Sequence, residues 1–423
     1  MRWDTRSRLR RYLRDALWVE PLIGLVLGVI TTQAVGTLER SGALARFQGD
    51  TAGFGAVLSS LNSALLTSAV FVFSMLLLVV QLASAQLTPR IIARAFREPV
   101  TKVSLGIFLF MYTYSLGVIG RMGTLTSAWS LKAAIYGSVL CLAVFLFLIN
   151  RLGQSLRPVA VVAGVAEEGR EVIASVYPVP ISAERPLAAA PPRPVSHAST
   201  HLVRYAGRSG VLLEFDVDGL VALAARLDCV LELVPQVGDF VATGDDLFRV
   251  YGAVTTVPEA ELRRAVALGP ERTMEQDPAF AFRIIVDIAS KALSPAINDP
   301  TTAVLALDQL HHLLREVGLR HLDSGELRDR EGRVRVRYHT PDWEDFVMLA
   351  VTEIRQFGRD SIQVARRLRA MLEGLIPALP PERGALLAPE LDLLKRTAER
   401  AFTEPEDRSR AGAGDFQGLG SHR

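Results

Sequence analysis

The sequence predicts a membrane α-helical protein, with four transmembrane helices followed by an α+β cytoplasmic region that holds a small β-barrel-like module and a helical module. Three observations carry this. The first third contains four long apolar runs; residues 207–252 alternate apolar and polar between turn signals; residues from 278 onward show capped helical periodicity. A chain of 423 residues exceeds one ordinary core. Its averages, 22% charged and 49% hydrophobic, hide the contrast between an apolar stretch over 16–150 and a charged remainder.

Crossing the hydrocarbon layer takes about 20 mostly apolar helical residues. The runs at roughly 17–37, 56–86, 103–121 and 131–150 meet that need. Basic residues orient them. Arg2, Arg6, Arg8, Arg10, Arg11 and Arg14 crowd the N-terminal tail, and Arg90, Arg94, Arg97 and Lys102 follow the second run. Arg151 and Arg157 follow the fourth, whereas Arg40 and Arg46 in an opposite loop are balanced by Glu39 and Asp50. Both termini are therefore expected in the cytoplasm, with the chain multi-pass in the inner membrane. The first run lacks a small-residue cleavage site and reads as a retained span. Trp18 and Trp129 sit at span ends, where their rings favour the interface.

The second run is the unusual one. A helix over 56–86 is roughly 45 Å long, more than the hydrocarbon thickness requires. Ser60, Thr67, Ser74 and Gln81 repeat every seventh position, so they share one face with a drift of about 20° per heptad. Two uses fit such a stripe: close helix packing, which small and hydroxyl residues permit, or the lining of a water-filled path. No acid or base lies deep in a span, which argues against a proton relay. Thr88-Pro89 reads as a cap opening a short basic helix, PRIIARAFRE, that suits the interface or simply fixes topology.

The cytoplasmic part begins with a helix to about residue 175 and a Pro/Ala-rich linker at 185–195. His197 and His201 are four apart but have no third ligand near them, so no metal site is expected. In VPQVGDFVATGDDLFRV the pairs Gly238-Asp239 and Gly244-Asp245 mark two turns, and the spacing resembles small lipoyl-type barrels without their lysine. An inserted helix covers 218–227. The resulting domain order is a basic tail (1–16), four spans (17–155), a helix and linker (156–200), the β module (201–256), a mainly helical module (257–403) and a disordered tail (404–423).

The block from Glu271 to Leu314 concentrates polar chemistry. Pro278–Leu293 is a helix, Ser294-Pro295 stops it, and Asn298, Asp299 and Pro300 start a second helix. Arg272, Asp277, Arg283, Asp287, Lys291, Asn298 and Asp299 gather around this hairpin. They serve either as caps and a salt-bridge ladder or as a site for a small anion or a protein. A hairpin at 326–340, a long amphipathic helix from Trp343 to Leu375 and another over 386–402 complete the chain. No Walker, GxGxxG, HExxH or GxSxG motif is present, and His339 with Asp342, Glu344 and Asp345 reads as a helix start. Enzymatic activity is not expected, nor is a cofactor. Cys141 and Cys229 imply no disulfide framework. A net charge of +2 offers no basic face for nucleic acid.

Taken together, SAVFVFSMLLLVVQLASAQLTPRII, GDFVATGDDLFRV and RTMEQDPAFAFRIIVDIASKALSPAINDPTTA resemble the predicted bacterial membrane proteins of the domain-of-unknown-function 2254 family, over about residues 10–375. The resemblance implies the topology and the bacterial inner membrane, and it carries no activity or site residue. The expected function is an oligomeric ion channel or transporter, with Ser60, Thr67, Ser74 and Gln81 lining the path and a cytoplasmic regulatory domain. The alternative is a membrane-anchored sensor or scaffold whose cytoplasmic domain binds a small anion or a protein partner at the 272–299 block.

Overall fold

A computed structural model describes residues 12–13, 16–42, 51–86, 88, 90, 98–122, 126–155, 157–182, 187, 201–254, 256–322 and 324–415. The Pro/Ala-rich linker (Leu187 apart), His197, and nearly all of PRIIARAFRE lie outside them. The chain divides into two compact units, one over 10–160 and one formed chiefly by 161–423.

The first unit is four helices long and apolar enough to cross a membrane. They are α1 (Val19–Arg40), α2 (Thr51–Gln86), α3 (Pro99–Ile119) and α4 (Ala128–Ser155). At 36 residues, α2 is about 54 Å long. α3 is the hub and packs against the other three. Its neighbour α1 runs parallel to it at very short range, because glycines remove the side chains between them. A Cβ on Gly24 would overlap the carbonyl oxygen of Gly106, and one on Gly117 would overlap Thr32. Leu58, Leu65, Val72 and Leu76 of α2 meet Phe108 and Met111 of α3 and Ala134, Cys141 and Leu148 of α4 in the core. Backbone contact in place of side-chain burial is how such helices associate where lipid is as apolar as leucine.

The second unit begins with α5 (Pro158–Val176) and continues as α+β. Strands β1 (His201–Arg204), β5 (Asp246–Tyr251), β3 (Val230–Leu233), β8 (Val334–Tyr338) and β7 (Glu326–Arg328) form one sheet in that order. Strands β4 (Phe240–Val241), β2 (Gly210–Phe215) and β6 (Val266–Gly269) form another. Both sheets are open, and no closed barrel occurs among the described residues. The turn glycines are used as their spacing suggests: Gly238 and Gly244 have φ of +98° and +100°, which L side chains resist. The hairpin at 326–340 joins the first sheet through a parallel pairing of β8 with β3, Leu231 opposite Val336. Local sequence could not foresee that pairing, because its partners are about a hundred residues apart. α6 (Val217–Arg226) is the inserted helix, and α7 (Glu259–Arg264) precedes β6.

Helices α8 (Pro278–Ala292), α9 (Pro300–Gly318), α10 (Trp343–Phe357) and α11 (Ile362–Leu375) pack as a helical layer. Phe282 of α8 and Phe346 of α10 are fully buried with centroids 5.1 Å apart. The long helix expected over 343–375 is two helices. Gly358 follows α10, and the side chain of Ser361 accepts from Val364 N at 3.4 Å to start α11. Apolar periodicity runs through this stop because both helices bury faces in one core. Beyond α12 (Pro381–Ala385) and α13 (Ala388–Ala401), the stretch expected to be disordered contains α14 (Pro405–Ala411). Asp415 is buried there and pairs with Arg366 at 3.8 Å. Ala411 also packs with Ala365 and Ala398 in a small apolar cluster, a contact with distant residues that the composition of the tail does not display. Residues 416–423 lie outside the described residues.

Candidate functional site

Among the described side chains of α2 the buried residues are Leu58, Asn62, Leu65, Val72, Leu76 and Val79, spaced by threes, fours and a single seven. They form the seam toward α3 and α4. Ser60, Thr67, Ser74 and Gln81 each lie two positions beyond a seam residue, about 200° around the helix. All four are exposed on the outer side of the unit. Two of the hydroxyls turn back onto their own helix: Thr67 Oγ1 donates to Ser63 O at 2.9 Å and Ser74 Oγ to Val70 O at 3.0 Å. Such back-bonding satisfies the O–H donor in lipid and leaves the oxygen lone pairs available.

The ends of this unit carry charges that span hydropathy overlooks. Glu39 is buried near the end of α1. Its carboxylate accepts from Arg121 Nε at 3.1 Å, Ser127 N at 2.8 Å and Ser130 Oγ at 2.5 Å. Arg121 also donates to Thr32 O at 3.1 Å. At the opposite end of the parallel pair, the buried Lys102 donates to Ala16 O at 2.9 Å and stands 3.8 Å from Glu20. In sequence Glu39 reads as a loop charge balancing Arg40; its burial follows from the α1–α3 approach. The GLVLG segment, with Gly24 and Gly28 four apart, is the signal that announces this approach.

In the second unit the 271–314 block folds as two capped helices. Asp277 caps α8 by accepting from Phe280 N at 3.1 Å, while Arg272 grips both its oxygens. Burial pushes the Asp277 carboxyl above its ordinary range against the opposing pull of Arg272. Arg283 bridges α8 to α10: Nε donates to Asp287 at 2.7 Å, and the guanidinium reaches Glu353 of α10 at 2.5 and 2.6 Å. The two carboxylates hold Arg283 firmly protonated. Lys291 follows Asp287 by one turn and is half-buried. Asn298 adopts φ +49° in the link, and Asp299 caps α9 through Thr302 N at 3.1 Å. The fold thus splits the seven polar residues into an Arg272–Asp277 clasp, an Arg283–Asp287 bridge continued by Lys291, and an Asn298–Asp299 start. His201 pairs with Glu259 at 3.0 Å, on β1 and α7.

Next to the Arg272–Asp277 clasp is a feature absent from the linear motifs. A cleft of about 300 Å3 opens between the end of α5, the ends of β2 and β8, and the turn before α8. Phe215, Tyr338, Tyr177, Glu275 and His339 contribute to its walls. These residues are dispersed over more than 160 positions, so no local pattern reveals them.

A family model described as "Predicted membrane protein (DUF2254)" matches residues 14–374. The chain belongs to this family. An uncharacterized protein of Mycobacterium bovis is 29% identical to the DUF2254 chain, over 96% of this chain and 80% of the relative. An uncharacterized protein of Mycobacterium tuberculosis strain H37Rv shows the same identity and coverage, and one of strain CDC 1551 is 28% identical. No solved structure matches the chain. This DUF2254 protein therefore combines four apolar helices with an α+β region, and the family description supplies the membrane and no activity.

Proposed function

We propose that this DUF2254 protein is an oligomeric ion channel or transporter of the bacterial inner membrane, with both termini and the second unit in the cytoplasm as a regulatory domain. One observation carries the reading: the Ser60–Thr67–Ser74–Gln81 face points away from the seam that holds α2 to its own chain. A hydroxyl stripe needed for packing within the chain would lie in that seam. On the outer side it suits copies of α2 meeting around a shared axis, where hydroxyl lone pairs face water. The arginine-rich N-terminal tail and the basic residues after the second and fourth spans support the orientation.

Purified protein in liposomes is expected to pass ions, and Ser74→Leu to block the flux without changing the amount inserted. Thr67→Cys is expected to crosslink between copies. Silent liposomes at high protein density, or unchanged flux in Ser74→Leu, reject the reading. The sensor or scaffold reading has the cleft beside Asp277 in its favour. For a small anion at the 272–299 block it has less, since Arg272 and Arg283 are bridged to carboxylates.

A further inference from the structure

The cleft beside the start of α8 has the construction of a site for a small uncharged molecule. Its volume of about 300 Å3 is at the low end of pockets that bury organic ligands. The rings of Phe215 and Tyr338 stand tilted, with centroids 5.1 Å apart, and Val217, Val237 and Leu327 extend this apolar wall. Gln276 fixes the Phe215 backbone at two points, accepting from Phe215 N at 3.2 Å and donating to Phe215 O at 3.4 Å. Tyr177, 1% exposed, lies on another side and meets Thr340 Oγ1 at 3.5 Å. Walls fixed by strand ends and by such a clamp are in place before a ligand arrives, which lowers the ordering cost of binding.

The carboxylates at the cleft are already engaged. Asp277 is gripped by Arg272 and accepts from Phe280 N as the cap of α8. Glu275 has an interaction of its own within the protein. No Lys or Arg belongs to the lining, and His339 is exposed, where water screens it. A cation entering here would compete with Arg272 for Asp277, and an anion would face the Asp277 and Glu275 carboxylates. Either ion would give up hydration without gaining a counter-charge of its own. An uncharged ring gives up little and gains the aromatic wall. The polar handle is Gln236. Its backbone N donates to Asp239 Oδ2 at 2.9 Å, which holds the turn, and its half-buried residue brings a side-chain amide to the lining. An amide both donates and accepts, so it recognises a neutral polar group.

We propose that this cleft binds a small neutral aromatic molecule, its ring against Phe215 and Tyr338 and its polar group on the side-chain amide of Gln236. Every lining residue belongs to the second unit, so the assignment is independent of whether the four apolar helices conduct.

Benzamide, benzoate and benzamidinium share one ring and a flat head group and differ in charge. With the full chain in detergent, and protein-free micelles as the control, ligand-observed NMR is expected to show saturable binding of benzamide. Benzoate and benzamidinium should each bind about tenfold more weakly, as ions left without a counter-charge. Gln236→Leu removes the amide, keeps the backbone bond to Asp239, and is expected to weaken benzamide about fivefold, the size of one lost hydrogen bond. Ser175→Trp, at an exposed position near the end of α5, should occupy the cleft and abolish binding with the melting temperature unchanged. The proposal is overturned by no saturable benzamide binding, by equal binding of either ion, or by full benzamide affinity in Gln236→Leu or in a folded Ser175→Trp.

Discussion

Arg121, just past the end of α3, reaches the buried carboxylate of Glu39 near the end of α1 at 3.1 Å. The same carboxylate holds the start of α4 through Ser127 and Ser130, so one side chain ties three helices at one end of the unit. Glu39→Gln removes the carboxylate charge that faces the Arg121 guanidinium at 3.1 Å. It is expected to cost about 3–5 kcal/mol, the usual price of breaking a buried ion pair by one partner. Unfolding of the detergent-solubilised protein measures this, and the double variant with Arg121→Gln should lose less than the sum. A neutral Glu39→Gln would mean that the pair contributes nothing to helix association.

The α1–α3 contact predicts an asymmetry among glycines. Gly24→Ala places a methyl group on the Gly106 carbonyl, whereas a Cβ on Gly153 has nothing within 4 Å. Gly24→Ala should separate the helices and lower the melting temperature by several degrees. Gly153→Ala, in the last turns of α4, should hold or raise it through better helix propensity. Equal effects at the two sites would contradict the close parallel approach.

The two faces of α2 separate folding from function. Leu76 is 2% exposed in the seam, so Leu76→Ala is expected to destabilise the unit by about 2 kcal/mol or more through lost packing. Ser74→Leu, on the outer face, should leave the monomer's stability unchanged, so a lost flux in that variant reports on the face and not on the fold. A Ser74→Leu protein that melts early would show that the stripe packs within the chain.

His311 of α9 predicts a pH dependence in the second unit. Burial, with Arg367, His312 and Arg315 nearby, lowers its pKa to about 4, and Asp308 opposes them only in part. Arg367 of α11 donates to Asp308 at 2.6 Å and stands 3.3 Å from His311 Nδ1, so the cation faces the ring from a second helix. The unfolded chain takes up this proton near its ordinary pKa of about 6.5, while the folded chain resists until about 4. Stability is therefore full above that ordinary value and falls as pH drops from about 6.5 to 4, by at most roughly 3 kcal/mol. His311→Gln should flatten this part of the profile; an unchanged slope would assign it to other groups.

By itself the sequence determined the elements with strong local causes. Four apolar runs long enough to span are four helices, because no other local structure satisfies the backbone in lipid. Asp277-Pro278 and Asp299-Pro300 open α8 and α9, and Gly238 and Gly244 turn the β region, since these residues act within one turn of themselves. The tertiary structure alone decided what depends on distant partners. It buried Glu39 against Arg121, added β8 to β3, and broke the helix at Gly358 so that both halves reach one core. It also turned the Ser60–Gln81 stripe outward and assembled the cleft around Phe215 and Tyr338. A heptad repeat specifies that residues share a face, but the direction of that face is set by whichever side packs best. For α2 that side is the leucine and valine seam, which leaves the hydroxyls for whatever lies beyond the chain.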